Sequence, residues 1–127
     1  MTKRTNLARS LAVAFAAATL SVAGVAQAHP RLVSASPAPN TSVVAPSRLT
    51  LNFSEGLVGP LSGGELYASQ GNRPTRVNGV RATLAPNGKT LVFAASRRLA
   101  RGTYRLDWHA VSVDTHHVHG TMVFNVK

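Results

Sequence analysis

The 127-residue chain carries 14 Lys+Arg against four Asp+Glu, a formal charge of +10, and no cysteine. It therefore has no disulfide framework and no thiolate to offer a metal, and its length allows one small core without a second domain. The positive balance suits anionic surfaces or acidic partners but does not specify a fold.

The chain opens with Lys3, Arg4 and Arg9, continues in an apolar run from Leu11 to about Ala26, and reaches the small-x-small triplet Ala26-Gln27-Ala28. Basic, apolar and small-residue regions in that order predict a cleaved secretory signal peptide over residues 1–28. The run is too short to predict a lasting membrane span. Residues 29–127 are then the working domain, a soluble exported protein of 99 residues and formal charge +7. No nucleic-acid partner is expected after export. Cleavage after Ala28 makes His29 the first residue, so a free α-amine and an imidazole share one residue and form a chelate. Imidazole nitrogen suits divalent copper, nickel and zinc. Pro30 has no backbone N–H to surrender to a metal, so further ligands must come from elsewhere in the fold.

Beyond His29 the chain alternates short apolar runs with turn signals. Arg31–Ala35 is predicted as a first strand, ended by Pro37, Pro39 and Asn40. Arg48–Phe53 alternates polar and apolar with Leu49, Leu51 and Phe53 on one face, as a half-buried strand does. Ser54–Gly64, with four glycines and a proline, is predicted as a loop. A short strand follows at Glu65–Ala68, then weak strands within Val77–Leu84 broken at Asn78-Gly79. After a turn at Pro86–Lys89 comes Thr90–Phe93, and Ala94–Arg101 is a basic patch outside strands. Gly102–Val111 is the strongest strand, with Tyr104, Leu106, Trp108 and Ala110 facing one way. The last strand, Thr121–Val126, puts Met122, Phe124 and Val126 on one face. No helical period runs through residues 29–127. About seven strands in a domain of this size point to an all-β Greek-key sandwich or barrel.

Four of the five histidines fall within His109–His119. In extended backbone Asp114 and His116 project to the same side and His117 to the other. Loops between strands are where binding residues gather. An oxygen from Asp114, a nitrogen from His116 and the two nitrogens of His29 make a four-donor N,O set that suits Cu(II) ahead of Ni(II). Glu55, beside Gly56, is either a surface acid or an acceptor behind the metal ligands. His109, on the polar side of its strand, reads as a surface or hydrogen-bonded residue. His117 and His119 read as solvated loop residues, with a second, weaker site as the alternative. Asp107 reads as an ion-pair partner, and Trp108 as a core residue whose indole N–H finds a partner.

With these residues in view, the chain resembles the CopC (PcoC, YobA) family of periplasmic copper-resistance proteins. The matching stretches are His29-Pro30-Arg31-Leu32-Val33-Ser34 with Pro37-Ala38, Leu51-Asn52-Phe53-Ser54-Glu55, Gly102-Thr103-Tyr104, Asp107–His116 and Gly120–Phe124. The resemblance implies a seven-stranded Greek-key β-barrel, cupredoxin-like or immunoglobulin-like. It also implies Cu(II) held by the amine and imidazole of His29, by Asp114 and by His116, and a copper-carrier role without catalytic residues. An inner-membrane copper transporter would be the partner, with the carrier a monomer or weak dimer. Some members carry a methionine-rich loop for Cu(I), but here Glu65–Lys89 has neither methionine nor histidine. A Cu(I) site is therefore not expected. An alternative is a histidine-brace copper monooxygenase, against which stand the short chain and a carboxylate that would favour Cu(II) over the reduction oxygen activation needs. A third reading, a cationic envelope-binding protein, predicts salt-sensitive binding that survives loss of His29.

Overall fold

The computed structural model describes residues 29–127, and the expected signal peptide lies outside the described residues. These residues form nine strands: β1 (Leu32–Ser36), β2 (Ser42–Val43), β3 (Arg48–Phe53), β4 (Gly63–Gln70), β5 (Arg73–Arg76), β6 (Val80–Leu84), β7 (Thr90–Ala95), β8 (Gly102–Val111) and β9 (His117–Val126). One 3₁₀ turn, Gly59–Leu61, precedes β4. The strands make two sheets, β1-β3-β7-β6 and β2-β9-β8-β4-β5. Hairpins β4-β5, β6-β7 and β8-β9 stay within a sheet, whereas β3 to β4, β5 to β6 and β7 to β8 cross between sheets. The all-β, two-layer class expected from alternation is the one observed.

Alternation explains the core. Leu49, Leu51 and Phe53 of β3 and Leu91 and Phe93 of β7 face Leu66, Tyr104, Leu106, Met122 and Phe124 from the other sheet, all nearly or fully buried. Tyr104 stacks on Phe124 at 5.5 Å between ring centroids, and its hydroxyl donates to the Ala100 carbonyl at 2.8 Å. That bond ties the basic Ala94–Arg101 connection to the start of β8. The β6-β7 turn is built on Asn87 and Gly88. The Asn87 side-chain oxygen accepts from the N–H groups of Lys89 and Thr90, and Gly88 takes φ 71°, a conformation glycine adopts without steric cost.

The structure departs from the expectation in three ways. The first two are the short strands β2 and β5, which raise the count from about seven to nine. β2 runs parallel to β9, pairing Ser42 with Asn125 and Val43 with Val126. β5 is fully exposed and is held only by its hairpin with β4. Neither buries enough apolar surface to leave a periodic signal.

The third difference matters for function. β9 begins at His117, four residues before the expected Thr121, and β4 begins at Gly63, inside the expected loop. Gly64 and Gly120 both stand opposite Trp108 in the sheet register. A Cβ on Gly120 would lie 2.5 Å from the Trp108 ring, and one on Gly64 would lie 2.5 Å from the Asp107 carbonyl oxygen. Gly120 thus sits within its strand to admit the indole, and Gly64 to let the β8 backbone and the Phe93 ring approach, although in sequence both look like turn residues. Trp108 packs edge-on to Phe53 at 5.2 Å. Contrary to expectation, its buried indole N–H has no protein partner.

Candidate metal centre

The end of β8 and the start of β9 carry the candidate site, on a tight turn organised by Ser112. This serine is fully buried. Its N–H donates to the His116 carbonyl at 2.9 Å, its carbonyl accepts from Thr115 N–H at 2.9 Å, and its hydroxyl accepts from His116 N–H at 3.2 Å. The same hydroxyl donates to Asp114 Oδ1. Thr115 takes φ 73° to close the turn, a left-handed conformation costly for a β-branched residue. Five residues are thereby fixed relative to one another, with Asp114 and His116 aimed together: His116 Nδ1 lies 3.0 Å from Asp114 Oδ1.

The first described residues are anchored to the same end of the sandwich. Arg31 N–H donates to Ser54 Oγ at 3.0 Å, and Ser54 N–H donates to the Arg31 carbonyl at 2.9 Å. Pro30 is buried while His29 remains exposed. Its imidazole packs edge-on against that of His116, with centroids 4.6 Å apart and planes at 78°. The turn is also braced by the segment after β3. Val113 N–H donates to the Gly56 carbonyl, Val58 N–H donates to the Val111 carbonyl, and Leu57 bridges to Ser112. Glu55 sits in this brace between Ser54 and Gly56, half-buried.

Residues 87 positions apart are therefore neighbours, since His29 meets His116, and His116 in turn meets Asp114 two residues before it. Among the described residues no group of three or more His, Cys, Asp or Glu side chains already forms a closed metal-holding cluster. The arrangement is two adjoining pairs, open toward solvent. His116 Nδ1 is buried and makes no hydrogen bond, despite its closeness to the Asp114 carboxylate. A lone buried nitrogen beside a carboxylate and a second imidazole fits a borderline divalent cation. A cavity of about 490 Å³ between Val77, Arg98 and Tyr104 lies toward the opposite end of β8 and touches none of these residues.

Electrostatics favour an anionic Asp114. The Ser112 hydroxyl, followed by His116, holds its carboxyl down at about 2 from the usual 3.8. A depressed acid stabilises the fold fully above its unfolded value, and the contribution disappears as pH falls through the folded value, here between about 4 and about 2. Carboxyl-carbon NMR of the metal-free protein is expected to show Asp114 titrating near the lower value. Ser112→Ala should move that midpoint back toward 3.8; an unmoved midpoint would remove Ser112 from the role given to it.

Two residues that organise this site left little trace in the sequence. Ser112 is two residues before Asp114 and four before His116, a spacing that could have marked it as the turn's hydroxyl. Ser54 carries no such signal, because its partner, Arg31, is 23 positions away. His109, read as a surface residue, is exposed on β8; Asp107 is indeed ion-paired, with Arg105 Nε at 2.9 Å.

Residues 32–127 match the CopC domain family. The chain belongs to the CopC family. Copper resistance protein C of Pseudomonas syringae pv. tomato is 41% identical over 125 residues, covering 95% of this chain and 98% of the relative. The crystal structure of PcoC, a methionine-rich copper resistance protein from Escherichia coli, superposes with a TM-score of 0.72 at 38% identity, over 79% of this chain and all of PcoC. That of CopC from Methylosinus trichosporium OB3b gives 0.66 at 28% identity, over 78% and 94%. CopC membership agrees with the sandwich and with the resemblance read from His29-Pro30 and Asp114-x-His116.

Proposed function

We propose that this protein is a periplasmic Cu(II) carrier or buffer whose copper is held by the amine and imidazole of His29, by Asp114 and by His116. The observation that carries the reading is the packing of His29 against His116, whose buried Nδ1 has no hydrogen-bond partner. In this reading cleavage after Ala28 frees the amine, and residues 29–127 are the copper-binding domain. The relatives named as copper resistance proteins support copper as the cargo. Imidazole, amine and carboxylate are hard-to-borderline donors, which favour Cu(II). Met122, the one methionine of residues 29–127, is buried in the core, so no thioether is offered to Cu(I).

A binding role follows from the same set. Asp114 stays ionised across the physiological range, and a carboxylate in the copper plane resists the reduction that a monooxygenase needs. Glu55 is assigned to the surroundings of the site, as an acceptor that orients a ligand or bound water. The positive surface suits handing copper to an acidic face of a membrane transporter.

Electron paramagnetic resonance of the Cu(II) form tests the ligand set. We expect three nitrogens and one oxygen about one copper, with one imidazole coupling lost in His29→Ala and one in His116→Ala. Unchanged couplings in either variant would remove that residue from the set.

A further inference from the structure

The outer face of β8 and β9 brings together three histidines that the site above does not use. His109 and His119 are directly opposite each other in the antiparallel register, and His117 lies two residues from His119 on the same face. All three are exposed. Their sequence separation hid this, because His117 and His119 were expected in a loop, whereas β9 pairs with β8 as far as Val111–His117.

We propose that this face is a second divalent-metal site, built on the cross-strand pair His109–His119 with His117 as a third donor, for imidazole-seeking ions such as Cu(II), Ni(II) or Zn(II). Opposed residues on one face of an antiparallel pair hold their Cβ atoms about 4.5–5.5 Å apart. With metal–nitrogen bonds of about 2.0–2.1 Å, two imidazoles at that spacing can grip one ion between them. His117 is the diagonal neighbour of His109, about 7–8 Å away by Cα, which an imidazole can reach across. On its other side His109 faces Gly63 of β4, and its Cε1 lies 3.6 Å from where a Gly63 Cβ would stand, with the Ala82 side chain at 3.7 Å from the same point. The ring thus rests on the Gly63 side, and gripping an ion with His119 requires it to turn toward β9.

The neighbouring acids on this face are already engaged. Asp107 is held by Arg105 and accepts from Thr121 Oγ1, and Glu65 pairs with Arg76 and accepts from the Tyr67 hydroxyl. The donor set is therefore imidazole alone, completed by water, which makes the site weaker and more exchangeable than one with a chelating amine. Its residues are distinct from His29, Asp114 and His116, so the inference stands on strand register and not on the first site's ligands.

The test is a Zn(II) and Cu(II) titration of the exported protein, following the imidazole carbon-bound protons by NMR. Beyond the first equivalent, the His109 and His119 signals are expected to respond together, to shift with Zn(II) and to broaden with Cu(II). His109→Gln and His119→Gln, both exposed substitutions, should each weaken this second event by at least about tenfold while leaving the first unchanged. A His29→Ala/His116→Ala variant should keep it. Loss of the second event in that double variant, or its persistence unchanged in His109→Gln, would overturn the proposal.

Discussion

Acetylating the α-amine of His29 is expected to lower the Cu(II) affinity by roughly two orders of magnitude or more, about 3 kcal/mol. The modification keeps every imidazole and carboxylate of the site and removes one lone pair. Losing an outer-shell partner of a metal ligand already costs about 10–100-fold, and here a direct ligand and its chelate ring are lost together. The comparison belongs near pH 7.5, close to the free amine's ordinary value of about 7.7–8.0, where a modest proton cost remains for binding. The spectrum should also change from three nitrogens to two. If the acetylated and free forms bind alike, the His116 turn acts without the N-terminus, and the packing of His29 on His116 has no part in holding copper.

The second large effect is on the fold itself. Phe124→Ala is expected to cost about 3–5 kcal/mol, since Phe124 is fully buried, stacks on Tyr104 and sits in a strand paired along its length with β8. Against a total of about 5–15 kcal/mol for a domain, that loss brings the protein near its unfolding threshold. It also bears on the site, because β9 starts immediately after His116 and cannot loosen without releasing the Ser112 turn. Binding to the folded state alone stabilises by mass action, about 4 kcal/mol at a thousandfold excess over Kd. Copper should therefore restore much of the lost denaturation midpoint in Phe124→Ala. A stability loss under about 1 kcal/mol, or a lowered midpoint that saturating Cu(II) leaves untouched, would refute this coupling of core and site.

The coupling has a plain mechanical origin. The ligand-bearing turn is braced on one side by the segment after β3, through Gly56, Leu57 and Val58, and on the other by the β8-β9 ladder. Arg31, two residues after His29, is held by two hydrogen bonds to Ser54 in that same segment. In the proposed reading rigid strands supply the geometry, and the His29 imidazole and the amine freed by cleavage close on the ion at an accessible edge.

Much of this was legible in the sequence because the signals are local. The two-residue alternation of Leu49, Leu51 and Phe53, and of Tyr104, Leu106, Trp108 and Ala110, follows from the strand's own geometry and gave both the class and the inward faces. The basic-apolar-small order ahead of His29, and the Asp114-x-His116 spacing, named the candidate ligands from chemistry alone. Tertiary structure decided what depends on residues far apart in the chain. It brought His29 within 4.6 Å of His116, a meeting across 87 positions that no window of sequence contains. It made strand residues of Gly63, Gly64 and Gly120, because the space they leave is taken by the His109 ring at Gly63, by the β8 backbone and Phe93 at Gly64, and by the Trp108 ring at Gly120. It also set the register that places His109 opposite His119, since pairing between strands is fixed by the whole buried face of a sheet and not by the few residues at its end.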